Sequence, residues 1–282
     1  MKQIALSLLF ALSLAFAKPT VTVSIPPQAY FVEQIAKDTV DINILIPEKS
    51  DEHNYEIKPQ TIKKLEKSDI YFTIGFSFEK AMLDKLKNTL KTLSIVRTQD
   101  NIKLLHDEHE AHSHHNHKHE EFDTHIWLDP ILVKTQASNI ANALVKKYPE
   151  NKDFYLNNLK DFHKELDELD SDIKAKLSGI KNNKFIVYHP SWSYFAKRYN
   201  LVQIPVQINS QEPRAKDLQN LIDLAKKENI KIIFIQDGFS KKAANTVAKQ
   251  CNARLETIEH LSRDWKNELL KASDKLALSL KE

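Results

Sequence analysis

A long segment without a helix-breaking residue divides the sequence into two halves, and it constrains the fold more than any other feature. Residues 151–178 contain neither proline nor glycine, and their apolar side chains recur at steps of three and four residues. The pattern predicts one amphipathic helix that ends near Gly179 and forms a rigid spine between two lobes. A coiled coil with a partner helix is the alternative interpretation. The apolar positions are Phe154, Leu156, Leu159, Phe162, Leu166, Leu169, Ile173 and Leu177.

On both sides of this segment, short β-rich runs alternate with helical patterns. Strands are predicted at 21–25, 41–46, 69–74 and 93–97, and again at 184–188, 201–206, 230–235 and 254–258. This alternation is typical of βα units, so we predict an α/β protein: two βα lobes with mainly parallel sheets, joined by one long rigid helix. The predicted ranges are 18–148 for the N-terminal lobe, including a His-rich loop at 106–121, 149–180 for the linking helix and 181–282 for the C-terminal lobe.

The first residues have the pattern of a secretory signal peptide. Met1 and Lys2 precede an apolar run over residues 4–16 that is too short for a permanent membrane anchor. Ala15-Phe16-Ala17 is an A-x-A cleavage site, so we predict cleavage after Ala17 and an exported mature protein. Cys251 is the only cysteine and can form no internal disulfide. We expect a monomer.

Charge and glycine content argue against three kinds of partner: nucleic acid, an anionic membrane surface and a nucleotide. The formal net charge of +3 is close to zero for a chain of 282 residues, so neither nucleic acid nor an anionic membrane surface is indicated. Nucleotide-binding loops need glycine for close approach to phosphate, and the chain has three glycines and no glycine-rich nucleotide motif. A nucleotide-dependent enzyme is therefore disfavoured.

A histidine-rich tract lies in the first half of the chain. Seven of the fourteen residues over 106–119 are histidine, interleaved with carboxylates. Imidazole is the commonest side-chain ligand of borderline transition metals, and so dense a tract predicts an accessory surface that collects metal with little selectivity. A solvated polar loop without a metal role is the alternative. The seven are His106, His109, His112, His114, His115, His117 and His119.

Three other histidines fall in loops that follow predicted strands, where a βα protein builds its ligand sites. His53 and His125 belong to the first lobe and His189 to the second, which predicts a metal site in the cleft between the lobes. Three imidazoles and one oxygen suit tetrahedral Zn²⁺, whereas Mn²⁺ would favour additional carboxylates. Each histidine must lose its proton to bind, so affinity should fall below the imidazole range near about pH 6.5.

The fourth ligand is left open by the sequence. Glu259 ends the last predicted strand and has the better topological position; Glu52, Asp237 and water are the alternatives. Adjacent residues on an extended chain point to opposite sides, which counts against Glu52 beside His53 unless the loop is kinked. By the same argument, His260 is expected to point away from the site.

Four short motifs together resemble one family. They are Glu52-His53-Asn54-Tyr55-Glu56, the run Thr124–Pro130, Val187-Tyr188-His189 and Glu212-Pro213. Over essentially the whole mature chain, the sequence resembles the periplasmic solute-binding proteins of zinc-uptake ABC transporters, the ZnuA-like proteins. The resemblance implies two lobes joined by one long helix, with metal held between them.

The resemblance also implies a ligand set and a partner. His53, His125 and His189 fall on the three histidine ligands of the family, and the fourth position varies among a carboxylate at Glu259, one at Glu52 and water. Manganese and iron relatives usually carry a carboxylate at the His189 position, so histidine there favours zinc. The implied function is capture of Zn(II) and its delivery to a permease in the inner membrane.

Two alternatives remain at this point. One is a manganese- or iron-binding member of the same family. The other is a zinc-dependent hydrolase, in which Asp237 or Glu259 would act as the general base beside an open coordination position. No H-E-x-x-H motif is present, and the resemblance is to proteins without catalytic chemistry, so we expect no enzyme.

Overall fold

The computed structural model describes residues 18–86, 88–106, 122–207 and 212–281. The predicted signal peptide and cleavage site lie outside these residues, as do residues 107–121 of the His-rich loop. Among the helices within the described ranges, none is both long and apolar enough to cross a membrane.

The first lobe contains one four-stranded sheet, and the second lobe contains another. The strands are β1 (Thr20–Val23), β2 (Asp41–Ile44), β3 (Ile70–Thr73), β4 (Ser94–Arg97), β5 (Lys184–Val187), β6 (Val202–Pro205), β7 (Ile232–Ile235) and β8 (Arg254–Thr257). All neighbouring strands are parallel, in the orders β2-β1-β3-β4 and β6-β5-β7-β8. The second sheet therefore repeats the topology of the first, and the predicted α/β fold is confirmed.

Helices follow the strands as the βα pattern predicts. Several begin at proline, whose fixed φ suits the first helical turn; Pro26, Pro59 and Pro130 are examples. The α-helices are α1 (Pro26–Ala36), α2 (Pro59–Leu65), α3 (Ser77–Leu86), α4 (Pro130–Lys147), α5 (Lys152–Lys176), α6 (Ser193–Arg198), α7 (Ala215–Lys227), α8 (Lys242–Cys251) and α9 (Trp265–Lys281).

The predicted spine is α5, which has 25 residues and packs against α1, α4 and α9. Its buried side chains, among them Phe162, Leu166 and Ile173, belong to a hydrophobic core that extends through both lobes. The first turns differ from the expectation: Phe154 and Leu156 are exposed, because Tyr155 between them is the residue that faces the core and is fully buried. With its inner face covered by three helices of the same chain, α5 needs no coiled-coil partner.

The C-terminal helix α9 is a second connection between the lobes. Its first residue, Trp265, packs edge to face on Phe31 of α1, with ring centroids 5.0 Å apart. The Trp265 indole N–H also donates to the Trp127 carbonyl oxygen at 2.8 Å. Packing of α5 and α9 across both lobes fixes the cleft in which the strand ends of the two sheets meet.

Candidate metal centre

The three predicted histidines come together with Glu52 in this cleft. One donor atom from each of Glu52, His53, His125 and His189 lies within 4.8 Å of the others. His189 follows the end of β5 by two residues, and Glu52 and His53 lie in the loop between β2 and α2. Because parallel strands present their carboxyl ends at one edge of a sheet, the two lobes direct these loops at each other.

The spacing of the donor atoms is close to that of a tetrahedral zinc site. His125 Nε2 lies 3.3 Å from His189 Nε2 and 3.2 Å from Glu52 Oε1. Glu52 Oε1 is 3.5 Å from His189 Nε2 and 3.9 Å from His53 Nε2. Zinc bonds of about 2.0–2.1 Å in a tetrahedron place donors about 3.3 Å apart. The donor set therefore fits one zinc ion with little rearrangement.

A local turn explains why Glu52 reaches the same point as its neighbour. The Asp51 carboxylate accepts hydrogen bonds from the backbone N–H groups of His53 and Asn54, at 3.1 and 3.2 Å. This Asx turn kinks the chain, so the alternation of an extended strand does not apply. The side chains of Glu52 and His53 both enter the cleft, so the kinked loop that the sequence argument allowed for Glu52 is present.

The other predicted carboxylates lie elsewhere. Glu259, which the topology favoured, is not a member of the four-residue group; its Oε1 is buried without a hydrogen-bond partner among the described residues. Asp237 forms ion pairs with Lys49 and Lys241 at 3.4 and 3.3 Å. The expectation for His260 was also wrong, since its Nε2 lies 2.9 Å from Glu52 Oε1.

Two of the candidate ligand histidines are held by hydrogen bonds at the nitrogen that faces away from the site. His125 Nδ1 donates to Asp123 Oδ1 at 2.7 Å, and His189 Nδ1 donates to Gln207 Oε1 at 2.9 Å. Partners of this kind fix the ring orientation and leave Nε2 for the metal. His125 and His189 are therefore aligned before metal arrives.

Sequence reasoning did not identify Asp123 or Gln207, although for each of them one feature indicates a position beside a candidate ligand histidine. Asp123 is a carboxylate two residues before a candidate ligand. Gln207 follows from strand register: Val187 of β5 pairs with Pro205 of β6, so two residues further on His189 and Gln207 lie side by side. The Gln207 backbone N–H, which donates to the Tyr188 carbonyl at 2.9 Å, confirms that the register continues.

The electrostatics of the metal-free site centre on His125. Burial by itself would lower the pKa of His125, but the carboxylates of Asp123 and Glu52 outweigh it and raise that pKa to about 10. Burial would likewise raise the pKa of Glu52, yet the surrounding imidazoles, His260 first, hold it well below its usual range. Desolvation of its ring in the cleft lowers the pKa of His53 to about 4, although 30% of the side chain remains accessible. At neutral pH the empty site therefore holds a carboxylate beside a protonated His125.

Aromatic rings enclose the site on three sides. Phe239 stacks on the His189 ring with centroids 4.5 Å apart, and Trp127 lies 5.0 Å from the His125 ring. Phe76 meets His53 edge to face at 5.9 Å. Rings in these positions exclude water and strengthen the electrostatic interactions of the ligands.

Little of the histidine-rich tract falls within the described residues. His106 is exposed, forms a single antiparallel bridge with Phe122 and packs against its ring at a centroid distance of 5.1 Å. His106 is the first residue of the tract, and Phe122 follows its last histidine by three residues. His109, His112, His114, His115, His117 and His119 lie outside the described residues.

Comparison with known proteins gives a consistent result. Residues 21–275 match the family described as zinc-uptake complex component A, periplasmic (ZnuA). The chain is 32% identical over 248 residues to the high-affinity zinc uptake system protein ZnuA of Bacillus subtilis, across 84% of this chain and 78% of that protein. It is 31% identical over 279 residues to the zinc-binding protein AdcA of Streptococcus pyogenes serotype M3, across 93% of this chain and 54% of AdcA.

Solved structures show the same likeness. A crystal structure of ZnuA matches with a TM-score of 0.87 and 39% identity, over 93% of this chain and 99% of that one. A ZnuA deletion mutant with zinc bound matches with a TM-score of 0.86 and 38% identity, over 94% of this chain and 99% of that one. Since these relatives are transport components and not enzymes, the hydrolase interpretation is set aside.

Proposed function

The chain belongs to the ZnuA family of periplasmic zinc-uptake components, and from this premise we propose that it captures Zn(II) in the cleft and delivers it to the permease of an ABC importer. The ligands would be His53, His125, His189 and Glu52. The observation that carries this proposal is the spacing of four donor atoms around one point, close to that of tetrahedral zinc.

Zinc is favoured over manganese and iron by the donors themselves. Three imidazoles and a single carboxylate suit a four-coordinate zinc ion, whereas manganese favours six ligands rich in oxygen. The relatives named for a metal, ZnuA and AdcA, are named for zinc. The second candidate, a manganese- or iron-binding member of the family, has only the single carboxylate of Glu52 in its favour.

Capture would exchange a proton for the metal at His125. The proton on Nε2 leaves as zinc arrives, while Asp123 retains the hydrogen bond to Nδ1 at 2.7 Å. The ionised Glu52, which faced the protonated His125 ring in the empty site, would then face the zinc ion from the same position. The exchange needs no movement of the His125 ring.

Delivery would take place in the periplasm, after removal of a signal peptide at Ala17, by docking to the permease in the inner membrane. The tract would act beside the cleft as an accessory zinc collector, since its first residue, His106, pairs with Phe122, the neighbour of Asp123, which hydrogen-bonds to His125. Deleting Asp107–Lys118 tests this role. We expect unchanged affinity of the cleft and slower uptake under zinc starvation; unchanged uptake would contradict the collector role.

Metal competition tests the main proposal. The purified chain lacking Asp107–Lys118 should bind one zinc ion, with an X-ray absorption signature of three imidazoles and one carboxylate at about 2.0–2.1 Å. Manganese should compete weakly. Tighter binding of manganese, or zinc binding that survives unchanged in His125→Ala, would refute the cleft site.

A further inference from the structure

His260 makes a contact that the ligand set does not explain. Its Nε2 lies 2.9 Å from Glu52 Oε1 and 3.1 Å from Glu52 Oε2, so one imidazole edge faces both oxygens of the carboxylate. Both side chains are buried: 1% of the His260 side chain and none of that of Glu52 is accessible. A contact so fully buried, between two polar groups, is energetically costly unless it is a hydrogen bond.

The direction of this hydrogen bond is settled by the surroundings. A carboxylate can only accept, so the proton lies on Nε2 of His260. His260 Nδ1 is buried and has no partner among the described residues. Glu52 is therefore the one group within the described chain that satisfies this side chain, and His260 presents a single N–H to it.

The backbone of His260 is held independently of Glu52. The Trp127 indole N–H donates to the His260 carbonyl at 2.6 Å, and Trp127 itself is fully buried beside the His125 ring. The donor that faces Glu52 is thus attached to the rigid core and belongs to the second lobe, whereas Glu52 lies on a loop of the first. Because the His260 donor is fixed, it can hold the Glu52 carboxylate in one orientation, which the loop that carries Glu52 does not do by itself.

We propose that His260 is the positioning residue of Glu52, in the way that Asp123 and Gln207 position His125 and His189. The inference rests on the proposed function in one respect, that Glu52 binds the metal. The His260 N–H occupies the edge of the carboxylate that its two oxygens share, and this contact fixes the rotation of the carboxylate. In this orientation Oε1 faces the three imidazoles. The contact thereby limits Glu52 to one bond and favours four-coordinate zinc over ions that take two carboxylate oxygens.

Paired substitutions at position 260 test the role. His260→Leu removes the donor and keeps an apolar side chain of similar size, and His260→Gln retains an N–H donor. We expect His260→Leu to weaken zinc binding by about 10- to 100-fold, the usual effect of losing such a partner, and His260→Gln to recover most of it. His163→Leu is the matched control, because His163 lies on α5 and contacts the Lys134 carbonyl instead of the metal group. It should bind zinc like the wild type.

A double substitution separates positioning from a general structural role. In a Glu52→Gln background, His260→Leu should weaken zinc binding by no more than about twofold, because its effect passes through the carboxylate. The ratio of zinc to manganese affinity should also fall in His260→Leu alone. Should the Leu variant fail to fold in thermal unfolding of the metal-free protein, Gln and Asn at position 260 give the same comparison, since only Gln reaches Glu52.

Two results would overturn the proposal. One is an equal loss of affinity from His260→Leu with and without Glu52→Gln. The other is an X-ray absorption spectrum with four imidazoles in the wild type and three in His260→Leu, which would make His260 a ligand. Both results differ from a failure of the proposed function. That failure would appear as zinc affinity that does not change in His125→Ala.

Discussion

Two of the three proposed ligand histidines are held in place by the fold, and the third is not. His125 and His189 have 6% and 3% of their side chains accessible, and each donates from Nδ1 to a buried partner. His53 has 30% accessible and lies in a segment between β2 and α2 that contains neither helix nor strand. The site therefore combines a rigid half with a loop half that also carries Glu52.

The difference between the rigid half and the loop half indicates the order in which the proposed ligands would bind and release zinc. Groups that are already aligned contribute affinity without an ordering cost, whereas a loop ligand must be ordered when the metal binds. The rigid half would set the position and geometry of the zinc, and His53, at the exposed edge, would be the last ligand to close and the first to leave. The proposed release to a permease would then require movement of one loop and not of the whole lobe.

The largest losses of zinc affinity should come from replacing the histidines, and their sizes should distinguish the rigid half of the site from the loop half. Zinc sites bind with roughly 10–16 kcal/mol, so each of four ligands contributes about 3 kcal/mol, or roughly 100-fold in affinity. His125→Ala and His189→Ala should each lose at least this much. His53→Ala should lose about tenfold, because water can occupy an exposed coordination position. Competition with a chelator of known affinity measures all three; equal losses would remove the distinction between the halves.

The next largest loss of zinc affinity should come from replacing a residue that hydrogen-bonds to a histidine of the rigid half. Asp123→Asn keeps an acceptor for His125 Nδ1 but removes the charge, and it should weaken zinc binding by about 10- to 100-fold. Asp237→Asn is the matched control, because Asp237 pairs with Lys49 and Lys241 outside the metal group. If the two variants lose affinity equally, Asp123 acts through the general charge of the protein and not through His125.

Much of the rigid half could be predicted from sequence, and the loop half could not. Strands and helices follow from periodicity, and the βα order places His189 two residues beyond the end of β5. The position of Glu52 depends on an Asx turn at Asp51, which reverses the side-chain alternation of an extended chain. His260 could not be placed because its contact joins residues that are 208 positions apart, in different lobes.

The pH dependence of affinity reports the rigid half alone. The raised pKa of His125, about 10, means that zinc must displace a proton across the neutral range, so affinity should fall about tenfold per unit as pH decreases from 9 to 6. His53, with its pKa lowered to about 4, is neutral there and adds nothing. The expected dependence thus begins well above the imidazole range that the sequence suggested.

Calorimetry in buffers of different ionisation enthalpy measures this proton directly. At pH 7 the wild type should release about one proton per zinc ion, and Asp123→Asn should release less, because losing the Asp123 charge lowers the pKa of His125. His53→Ala should release as many protons as the wild type. Zinc binding without proton release at pH 7 would mean that His125 is neutral in the empty site.

The smallest effect should come from the contact that supports the loop half. Gly238 has φ +94°, and a Cβ there would lie 2.6 Å from the Lys49 carbonyl oxygen, just before the segment that carries Glu52 and His53. Gly238→Ala should displace this segment, and strain of roughly 1 kcal/mol corresponds to about a fivefold loss of zinc affinity. Gly179→Ala is the control, since its φ is +72° but no atom lies within 4 Å of the added Cβ. Both variants carry the backbone strain, so a loss of affinity confined to Gly238→Ala assigns the effect to the loop, whereas equal losses would assign it to stability.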